Sequence, residues 1–476
     1  MTKVHPRPLV VVLLLAAFLL LPSMGSVGMF MDGTIYAAIS RNLADGLGSP
    51  WALHFSEGLF PVFREHPPLM FWLQSLFFRL LGDSYLTERA YDLVVVLTTA
   101  VLIVVLWRKL VAACRRDALA AFWWLPLLLW VVVPKWAWTY RNNMLESTLT
   151  VFCLAAVLLV LAGLRSADTR GVIFRTMVAA LATLLAFLAK GPVALFVLAA
   201  PFLLGPAVTG VYWRRTALVT VTLVVGFAVL LAFLLAWPDA HEMLAAYWHK
   251  QVVGRSGISS NDAGLLIELA KKLAAMLLVL AGLRIWIARN GGAGGWLRPV
   301  TAPVLAMLAL GLAASLPLLL GDLDSAHYLV PALPFFAIGV GLVGASMLDC
   351  AEEPFRQALD ARPGKAFVAV SVACALAILA LSLSRIGDVR KNDEYHVFLA
   401  QVAEVTGEPT TIAVAPSLYR DWYMHAIAMR HYHIGLESNE LNAFWLLRPA
   451  DADVLPGYRA TGIRNESWRL WRRDAE

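Results

Sequence analysis

The sequence predicts an all-α polytopic membrane protein that ends in a small extracytoplasmic α/β domain. Of its 476 residues, 60% are hydrophobic and only 15% are charged, and the mean hydropathy is +0.69. A soluble domain carries about 25% charged residues, so this chain has too little polar surface to cover a water-exposed globule. The apolar residues come in blocks long enough for helices to span a bilayer, and they lack the alternation of barrel strands.

Runs of about 17 to 25 apolar residues predict eleven spans. They lie near residues 9–31, 86–107, 118–134, 144–164, 173–189, 192–211, 216–237, 264–288, 300–320, 327–348 and 366–385. With the N-terminus inside, every short cytoplasmic loop is basic, as in Arg108-Lys109 and Arg115-Arg116. The positive-inside rule therefore predicts a cytoplasmic N-terminus and an extracytoplasmic C-terminus.

Two long segments are predicted to lie outside, the loop at 32–85 and the tail from 386. Within the loop, 69–81 is too short to span and predicts an interfacial or re-entrant helix, and 39–47 predicts a short amphipathic surface helix. The tail pattern predicts helices at 393–405 and 418–429 and strands near 411–415, 432–435, 443–447 and 461–471. We therefore predict a transmembrane domain at 1–385 and an α/β domain at 386–476.

Charge and cysteine content exclude several classes of protein. The net charge of +6 is spread in short clusters between apolar blocks, which fits membrane orientation and not a nucleic-acid-binding groove. The four cysteines form no CxxC pair, so neither a disulfide framework nor a structural zinc site is expected. No P-loop and no cytoplasmic DxD motif supports a nucleotide-sugar donor. Ligand spacing does not support a divalent metal, and no cofactor is predicted.

Five polar clusters fall on the predicted external face. They lie at 31–37, 64–69, 140–146, 190–192 and 322–328. Hydrocarbon penalises charge, so polar residues gathered at span ends on one side indicate a functional site at the external membrane boundary.

The order of these motifs resembles that of the polyprenyl-phosphate-dependent glycosyltransferases, a family with protein O-mannosyltransferases and lipid A aminoarabinose transferases. The motifs are Asp32-x-x-x-Tyr36-Ala37, Pro67-Pro68-Leu69-x-x-Trp72, Arg141-x-x-Met144-Leu145, Lys190-Gly191-Pro192 and His327-Tyr328-Leu329-Val330-Pro331, within roughly residues 9–350. The resemblance implies the GT-C membrane fold, an inverting reaction and an extracytoplasmic active site in a bacterial inner membrane. It also implies a polyprenyl-phosphate-linked sugar donor and a lipid or glycan acceptor such as lipid A or lipopolysaccharide core.

The chain differs from the family pattern at four of these positions. Gly33 follows Asp32, where many members carry a second acid, and His66 replaces the lysine of the aminoarabinose transferases. In the segment 141–146, where other members carry an acid, this chain has Asn143 and Glu146. These differences leave the acceptor class open.

Asp32 and Glu146 are the predicted catalytic residues. Asp32 would take the proton of an acceptor hydroxyl while the sugar–phosphate bond breaks; its structural alternative is a helix cap. Glu146 lies about one turn into a span, so it is expected to face the bundle and pair with Arg141, Lys190 or a substrate.

The other polar residues of the clusters are predicted to bind substrate, with phosphate the target of the cations. They are Tyr36, Arg64, His66, Arg141, Asn143, Lys190, His327 and Tyr328. Arg141 has the alternative of an aromatic-belt anchor, and Lys190 that of a snorkelling lysine at a helix end. The segment 247–255 predicts an interfacial helix that contacts lipid headgroups or the acceptor.

Two other functions stay open at this stage. A transporter or lipid-linked sugar flippase would need polar residues along a path through the bundle, whereas here they gather at one face. A protein O-mannosyltransferase would use the same type of donor with a protein acceptor, and the single acid after the first span weighs against it. Membrane lipids are expected partners, and nucleic acid is not.

Overall fold

A computed structural model describes residues 5–208, 213–254, 262–289, 301–320, 325–350, 362–389, 392–407, 409–439 and 443–474. The contacts within it divide the chain into two units. The first unit comprises Met1–Pro22, Asp92–Arg141 and Leu145–Ser382, and the second comprises Ser23–Tyr91, Asn142–Met144 and Leu383–Glu476. The predicted tail domain at 386–476 lies within the second unit, together with the predicted loop at 32–85.

Helices account for most of the described chain. The α-helices are α1 (Pro6–Met24), α2 (Met31–Ala44), α3 (Leu69–Leu81), α4 (Tyr85–Ala113), α5 (Trp124–Val131), α6 (Trp136–Tyr140), α7 (Leu145–Leu164), α8 (Thr169–Lys190), α9 (Ala200–Leu204), α10 (Trp213–Leu235), α11 (Pro238–Tyr247), α12 (Asp262–Arg289), α13 (Thr301–Ser315), α14 (Leu333–Asp349), α15 (Lys365–Leu383), α16 (Asp393–Thr406), α17 (Pro416–Tyr419) and α18 (Trp422–Tyr432). Short 3₁₀ segments cover Asp117–Phe122, Gly191–Ala199, Gly205–Ala207, Leu316–Leu320 and Ala326–Ala332, and a π-helical turn covers Trp248–Val253.

Eight helical segments of the described chain are long and apolar enough to cross a membrane. They are Pro6–Met24, Tyr85–Ala113, Leu145–Leu164, Thr169–Ala207, Trp213–Leu235, Thr301–Leu319, Ala326–Asp349 and Lys365–Leu383. The polytopic all-helical membrane fold is thus confirmed, and each of these segments overlaps at least one predicted span.

The predicted count of eleven spans differs from these eight for three local reasons. The predicted span at 118–134 is a 3₁₀ turn followed by α5, whose eight residues extend only about 12 Å. The two predicted spans at 173–189 and 192–211 form one helical run that changes from α to 3₁₀ at Gly191. Helix α12 is long enough, but Glu268, Lys271 and Lys272 interrupt its apolar sequence.

The start of the second unit corrects two sequence predictions. The first helix ends at Met24 and not near residue 31, and a separate helix, α2, begins at Met31. The predicted surface helix at 39–47 is the second half of α2, and the residues from Gly33 to Leu43 are buried. Its apolar and small residues therefore pack inside the second unit, where the sequence pattern alone suggested an exposed helix.

The C-terminal part of the second unit has the predicted α/β character, but it contains five strands and three helices where the sequence predicted four strands and two helices. The strands are β1 (Thr410–Val414), β2 (Ile434–Glu437), β3 (Trp445–Pro449), β4 (Tyr458–Arg464) and β5 (Trp468–Arg473), in the order β2-β1-β3-β5-β4. Strand β1 pairs in parallel with β2 and β3, and β5 pairs antiparallel with β3 and β4. The predicted single strand at 461–471 is a hairpin, because the turn at Asn465 divides it; there the Asn465 side chain accepts from the backbone of Ser467 and Trp468.

Parts of several predicted features lie outside the described residues. They include Asp322-Leu323-Asp324 of the fifth polar cluster, Arg255 at the end of the interfacial segment, residues 209–211 of the span at 192–211 and residue 300 of the span at 300–320.

Candidate active site

Glu146 is the centre of a buried polar cluster in the first unit. It lies in the first turn of α7, and only 1% of its surface is exposed. Its Oε1 accepts a hydrogen bond from Lys190 Nζ and lies 3.5 Å from His327 Nε2. Of the partners predicted for Glu146, the structure shows Lys190, and His327 is a second neighbour. A buried acid in a membrane span is costly unless paired, so this position indicates function and not chance.

Lys190 reaches Glu146 from the place where α8 stops being an α-helix. It is the last residue of α8, and Gly191 follows with a φ of +75°. A Cβ at Gly191 would overlap the phenol of Tyr247, whose hydroxyl donates to the Lys190 carbonyl at 3.3 Å. The glycine thus meets two requirements, a left-handed backbone and a close approach to Tyr247. The predicted helix break at Lys190-Gly191-Pro192 is confirmed.

Aromatic rings enclose Lys190 and His327. The Lys190 ammonium lies 4.4 Å from the ring centre of Tyr328, within the range of a cation–π interaction. The His327 ring lies 4.5 Å from that of Tyr328 and 5.5 Å from that of Trp138. Lys190 and His327 are 8% and 6% exposed, so neither behaves as a snorkelling or solvent-facing side chain.

Unused hydrogen-bonding capacity remains at the centre of this cluster. Glu146 Oε2 is buried and has no hydrogen-bond partner among the described residues. Lys190 has three N–H donors, and within the described part of the chain only Glu146 accepts from it. An unpartnered buried carboxylate oxygen costs roughly 1–3 kcal/mol. The cluster therefore keeps an unused acceptor on Glu146 and unused donors on Lys190.

More positive charge surrounds His327 than the sequence motifs suggested. Lys135 and Lys272 both interact with it electrostatically, and Lys135 Nζ lies 4.1 Å from the ring centre of Trp138. Lys272 is fully buried in α12 and pairs with Glu268 Oε2 at 3.3 Å. Sequence analysis missed both lysines, because neither belongs to a motif. The signal for Lys272 was a lysine inside an apolar run.

Arg141 follows α6 in the first unit, where it is half-buried. Burial lowers the pKa of its guanidinium. The neighbouring Tyr140 is fully buried, and its ring packs against Trp130 and Trp136 at 5.4 and 5.9 Å. The segment is thus a packed aromatic cluster, and Arg141 does not pair with Glu146, whose partners are Lys190 and His327.

Asp32 lies in the second unit, in the first turn of α2. Phe30 occupies the N-cap position of this helix. Asp32 therefore does not have the capping role that was its structural alternative. A carboxylate in the first turn is favoured by the helix dipole. Asp32 is half-buried there, and it precedes the buried Gly33 and Thr34.

Tyr36 and His66 come together in the second unit. Their ring centres are 5.5 Å apart in an edge-to-face arrangement, and Phe71 lies 5.7 Å from Tyr36 on another side. His66 belongs to the turn before Pro67-Pro68, and α3 begins directly after it. Arg64, two residues earlier, is half-buried in the same turn. The turn that carries His66 therefore packs against α2, the helix that also carries Asp32 and Tyr36.

Asn143 holds the start of α2 in place. Its Nδ2 donates to the Gly33 carbonyl at 3.0 Å, and its Oδ1 accepts from Gln74 Nε2 at 2.7 Å. The preceding residue, Asn142, accepts from the Phe30 backbone N–H at 2.6 Å. Asn143 is fully buried with a φ of +53°, a backbone region that asparagine tolerates well. Asn143 was predicted to bind substrate, but its side-chain amide forms hydrogen bonds within the protein.

Asn142 also explains why residue 33 is glycine. A Cβ at Gly33 would overlap the backbone carbonyl of Asn142. The second acid that many members of the resembled family carry at this position therefore has no room in this chain.

None of the described residues forms a group of three or more His, Cys, Asp or Glu suited to hold a metal ion. The prediction that the protein needs no cofactor stays a prediction.

Comparisons with known proteins agree with the motifs. Residues 65–237 match the family model of dolichyl-phosphate-mannose-protein mannosyltransferases. No curated protein sequence matches the chain closely enough to count as a relative.

Solved structures show the same fold. ArnT from Cupriavidus metallidurans bound to undecaprenyl phosphate matches with a TM-score of 0.63 and 15% identity, over 97% of each chain. Its apo state matches with a TM-score of 0.59 and 16% identity, over 97% of this chain and 96% of that one. Oligosaccharyltransferase AglB from Archaeoglobus fulgidus, in complex with an inhibitory peptide and a dolichol-phosphate, matches with a TM-score of 0.50 and 13% identity, over 94% of this chain and 69% of AglB.

The family model therefore supports the resemblance to polyprenyl-phosphate-dependent glycosyltransferases over residues 65–237, and the solved structures confirm the fold. The chain is a multi-pass membrane protein with the GT-C glycosyltransferase fold of ArnT, and residues 65–237 match the dolichyl-phosphate-mannose-protein mannosyltransferase family.

Proposed function

We propose that the protein is an inverting glycosyltransferase that takes a sugar from a polyprenyl-phosphate carrier at the extracytoplasmic face of a bacterial inner membrane. The acceptor we favour is an envelope lipid or glycan such as lipid A or lipopolysaccharide core. The similar ArnT and AglB structures contain undecaprenyl phosphate and dolichol-phosphate, which supports a carrier of this class.

The buried pair of Glu146 and Lys190 carries this proposal. The free donors of Lys190 suit an oxygen of the carrier phosphate, and the free Oε2 of Glu146 suits a hydroxyl or amino group of the sugar. The rings of Tyr328 and Trp138 would flank such a ligand and exclude water. In water-poor surroundings both interactions are stronger than in bulk solvent.

The reaction would be a single displacement. The acceptor oxygen forms a bond to the anomeric carbon while the bond from that carbon to the phosphate oxygen breaks, and the polyprenyl phosphate leaves. Asp32 takes the proton of the acceptor hydroxyl as general base. The leaving group is already an anionic phosphate, so the step needs no strong acid, and Lys190 stabilises the charge that develops on it.

The test is transfer of label from a radiolabelled polyprenyl-phosphate sugar by the purified protein in liposomes that contain envelope acceptors. Asp32→Asn and Glu146→Gln should each lower the transfer rate by about 100-fold or more, because one removes the base and the other a buried ligand contact. Glu404→Gln changes an exposed glutamate of α16 and serves as the matched control. Full transfer by folded Asp32→Asn protein would remove Asp32 from the mechanism.

The labelled product decides between the acceptor classes. Label in a lipid or glycan supports the proposal, and label in a protein favours the O-mannosyltransferase alternative, to which the family match at 65–237 lends weight. Movement of intact donor across the liposome membrane without its consumption would replace the proposal with a flippase.

A further inference from the structure

Three arginines lie side by side across the sheet of the second unit, and no part of the proposed mechanism uses them. In the antiparallel register, Arg448 of β3 is directly opposite Arg469 of β5, and Arg469 is in turn directly opposite Arg464 of β4. Side chains that are directly opposite each other point to the same face of a sheet, with Cβ atoms about 4.5–5.5 Å apart. We call these three residues the arginine row.

The arginine row lies on the face of the sheet opposite the helices. Helices α16 and α18 pack against the face that carries Leu447 and Leu470, in one apolar core. Successive side chains of a strand alternate between faces, so Arg448 and Arg469 point away from that core. Arg464 is exposed, and the other two arginines are half-buried. The row is therefore accessible from solvent.

No carboxylate neutralises the arginine row. Within the described part of the chain, no acidic side chain forms an ion pair with Arg448, Arg464 or Arg469. Glu466 lies in the turn next to Arg464, but it does not pair with it. Like charges that are directly opposite each other destabilise a sheet. Three adjacent guanidinium groups without a counterion therefore need a reason other than the stability of the fold.

Two ordinary reasons for surface arginines do not account for the row. Charge on an edge strand prevents aggregation, but in the strand order β2-β1-β3-β5-β4 only Arg464 lies on an edge strand. The positive-inside rule concerns short cytoplasmic loops, whereas the tail from residue 386 is predicted to be extracytoplasmic. An anionic ligand would account for all three arginines.

Two of the three guanidinium groups are held in place within the protein. Arg448 Nη1 donates to the backbone carbonyl of Asp453 at 2.7 Å, and the Arg469 guanidinium lies 5.8 Å from the ring centre of Trp471, within the range of a cation–π interaction. Side chains that are already ordered lose less conformational entropy when a ligand binds. The row is therefore partly arranged before any ligand arrives.

The chemistry of the row favours a phosphate monoester. The planar guanidinium group forms paired hydrogen bonds with phosphate oxygens. A phosphate monoester has a charge of about −1.5 to −2 near neutral pH and three acceptor oxygens. It therefore matches three adjacent arginines better than a carboxylate or a phosphodiester, each of which carries a single charge.

We propose that the arginine row binds a phosphate monoester on the glycan part of the acceptor. The identity of this glycan as the acceptor rests on the proposed function, whereas the binding of a phosphorylated sugar does not. The α/β tail would then select acceptors that carry phosphate.

The first experiment is isothermal titration calorimetry on the full chain in phosphatidylcholine nanodiscs at low salt. The probe is glucose phosphorylated on its primary hydroxyl, which should bind, whereas glucose should not. Arg464→Gln and Arg469→Gln should each weaken binding by about tenfold or more, because each removes a charged contact. The matched control is Arg459→Gln, which changes an exposed arginine of β4 that pairs with Asp474 at 3.7 Å and lies on the other face, and it should bind normally.

Three results of this titration would overturn the inference. They are absence of binding by the phosphorylated glucose, equal weakening by Arg459→Gln, and equal binding of glycerophosphoglycerol. The last probe is the phosphodiester headgroup of phosphatidylglycerol, so its equal binding would assign the row to membrane phospholipid. Arg464 is exposed, so Arg464→Gln should leave the thermal unfolding of the protein unchanged, which separates loss of binding from loss of the fold.

Transfer kinetics test the assignment to the acceptor. With the radiolabelled donor, Arg464→Gln should raise the KM for a phosphorylated acceptor about tenfold, leave kcat unchanged, and have no effect on the KM for the same acceptor after phosphatase treatment. An unchanged KM for the phosphorylated acceptor would overturn this assignment. The titration contains no donor, so its failure leaves the transfer reaction untouched, and a failure of transfer leaves the binding result untouched.

Discussion

At the scale of single residues, contacts at the start of α2 determine which side chains this helix can carry there. Asp32 is kept in the first helical turn by contacts on both sides of it, Asn142 to the Phe30 N–H and Asn143 to the Gly33 carbonyl. The Asn142 carbonyl occupies the space of a side chain at Gly33. The same turn therefore positions Asp32 and leaves no space for a second acidic side chain at residue 33.

Asn143→Ala tests this positioning role. The change leaves Gln74 and the Gly33 carbonyl without a buried partner and places alanine at a positive φ, so it should cost roughly 1–3 kcal/mol of stability. If Asn143 acts by positioning Asp32, the rate constant kcat should fall while the KM for the donor stays the same. Kinetics in liposomes and thermal unfolding of the purified variant measure both effects.

Gln401→Ala, at an exposed position of α16, is the control for this measurement. A rise in KM with an unchanged kcat would instead give Asn143 a direct part in donor binding.

At the scale of elements, the change from α8 to a 3₁₀ segment places Lys190 beside Glu146. The sequence predicted the break from Gly191-Pro192, but it did not predict the element that packs against it. That element is the end of α11, where Tyr247 contacts Gly191 and bonds the Lys190 carbonyl. The segment that the sequence indicated as an interfacial helix thus also supports the candidate active site.

Gly191→Ala should disturb this junction. The added methyl group meets the Tyr247 ring, and the positive φ disfavours alanine, so Lys190 should shift and transfer should fall by about tenfold or more. The matched control is Gly282→Ala in α12, where a Cβ meets nothing within 4 Å and where alanine favours the helix. Equal transfer rates for both variants, measured with the radiolabelled donor, would show that the junction does not set the rate.

At the scale of the whole molecule, the second unit should lose stability in acid. The second unit contains two buried histidines, His396 and His425, and a half-buried one, His431, and desolvation lowers the pKa of each. Burial alone would raise the pKa of Asp83, but bonding to His433 and the charges of Arg430 and Arg41 hold it well below its usual range. These groups favour the folded state when the histidines are neutral and Asp83 is ionised.

The stability of the second unit should therefore fall as the pH decreases. A histidine with a lowered folded-state pKa contributes fully above its unfolded value of about 6.5, and this contribution is lost below that pH. The loss from Asp83 begins only below its own unfolded pKa of about 4. Hydrogen exchange of α16 and α18 between pH 8 and pH 5 measures the effect, and His431→Gln should reduce its size. Protection that is equal at both pH values would contradict the prediction.

The sequence by itself determined the class of the protein, because low charge and long apolar blocks leave a chain no stable place except a bilayer. It also located most helices, the mixed α/β character of the tail and the helix break at Lys190, all of which depend on local composition. Only the tertiary structure decided which polar residues are partners. Glu146 and Lys190 are 44 residues apart. The burial of α2 and the lack of space at Gly33 likewise depend on packing between segments distant in sequence. No periodicity records such contacts, because a local pattern shows which face of an element is apolar and not what covers it.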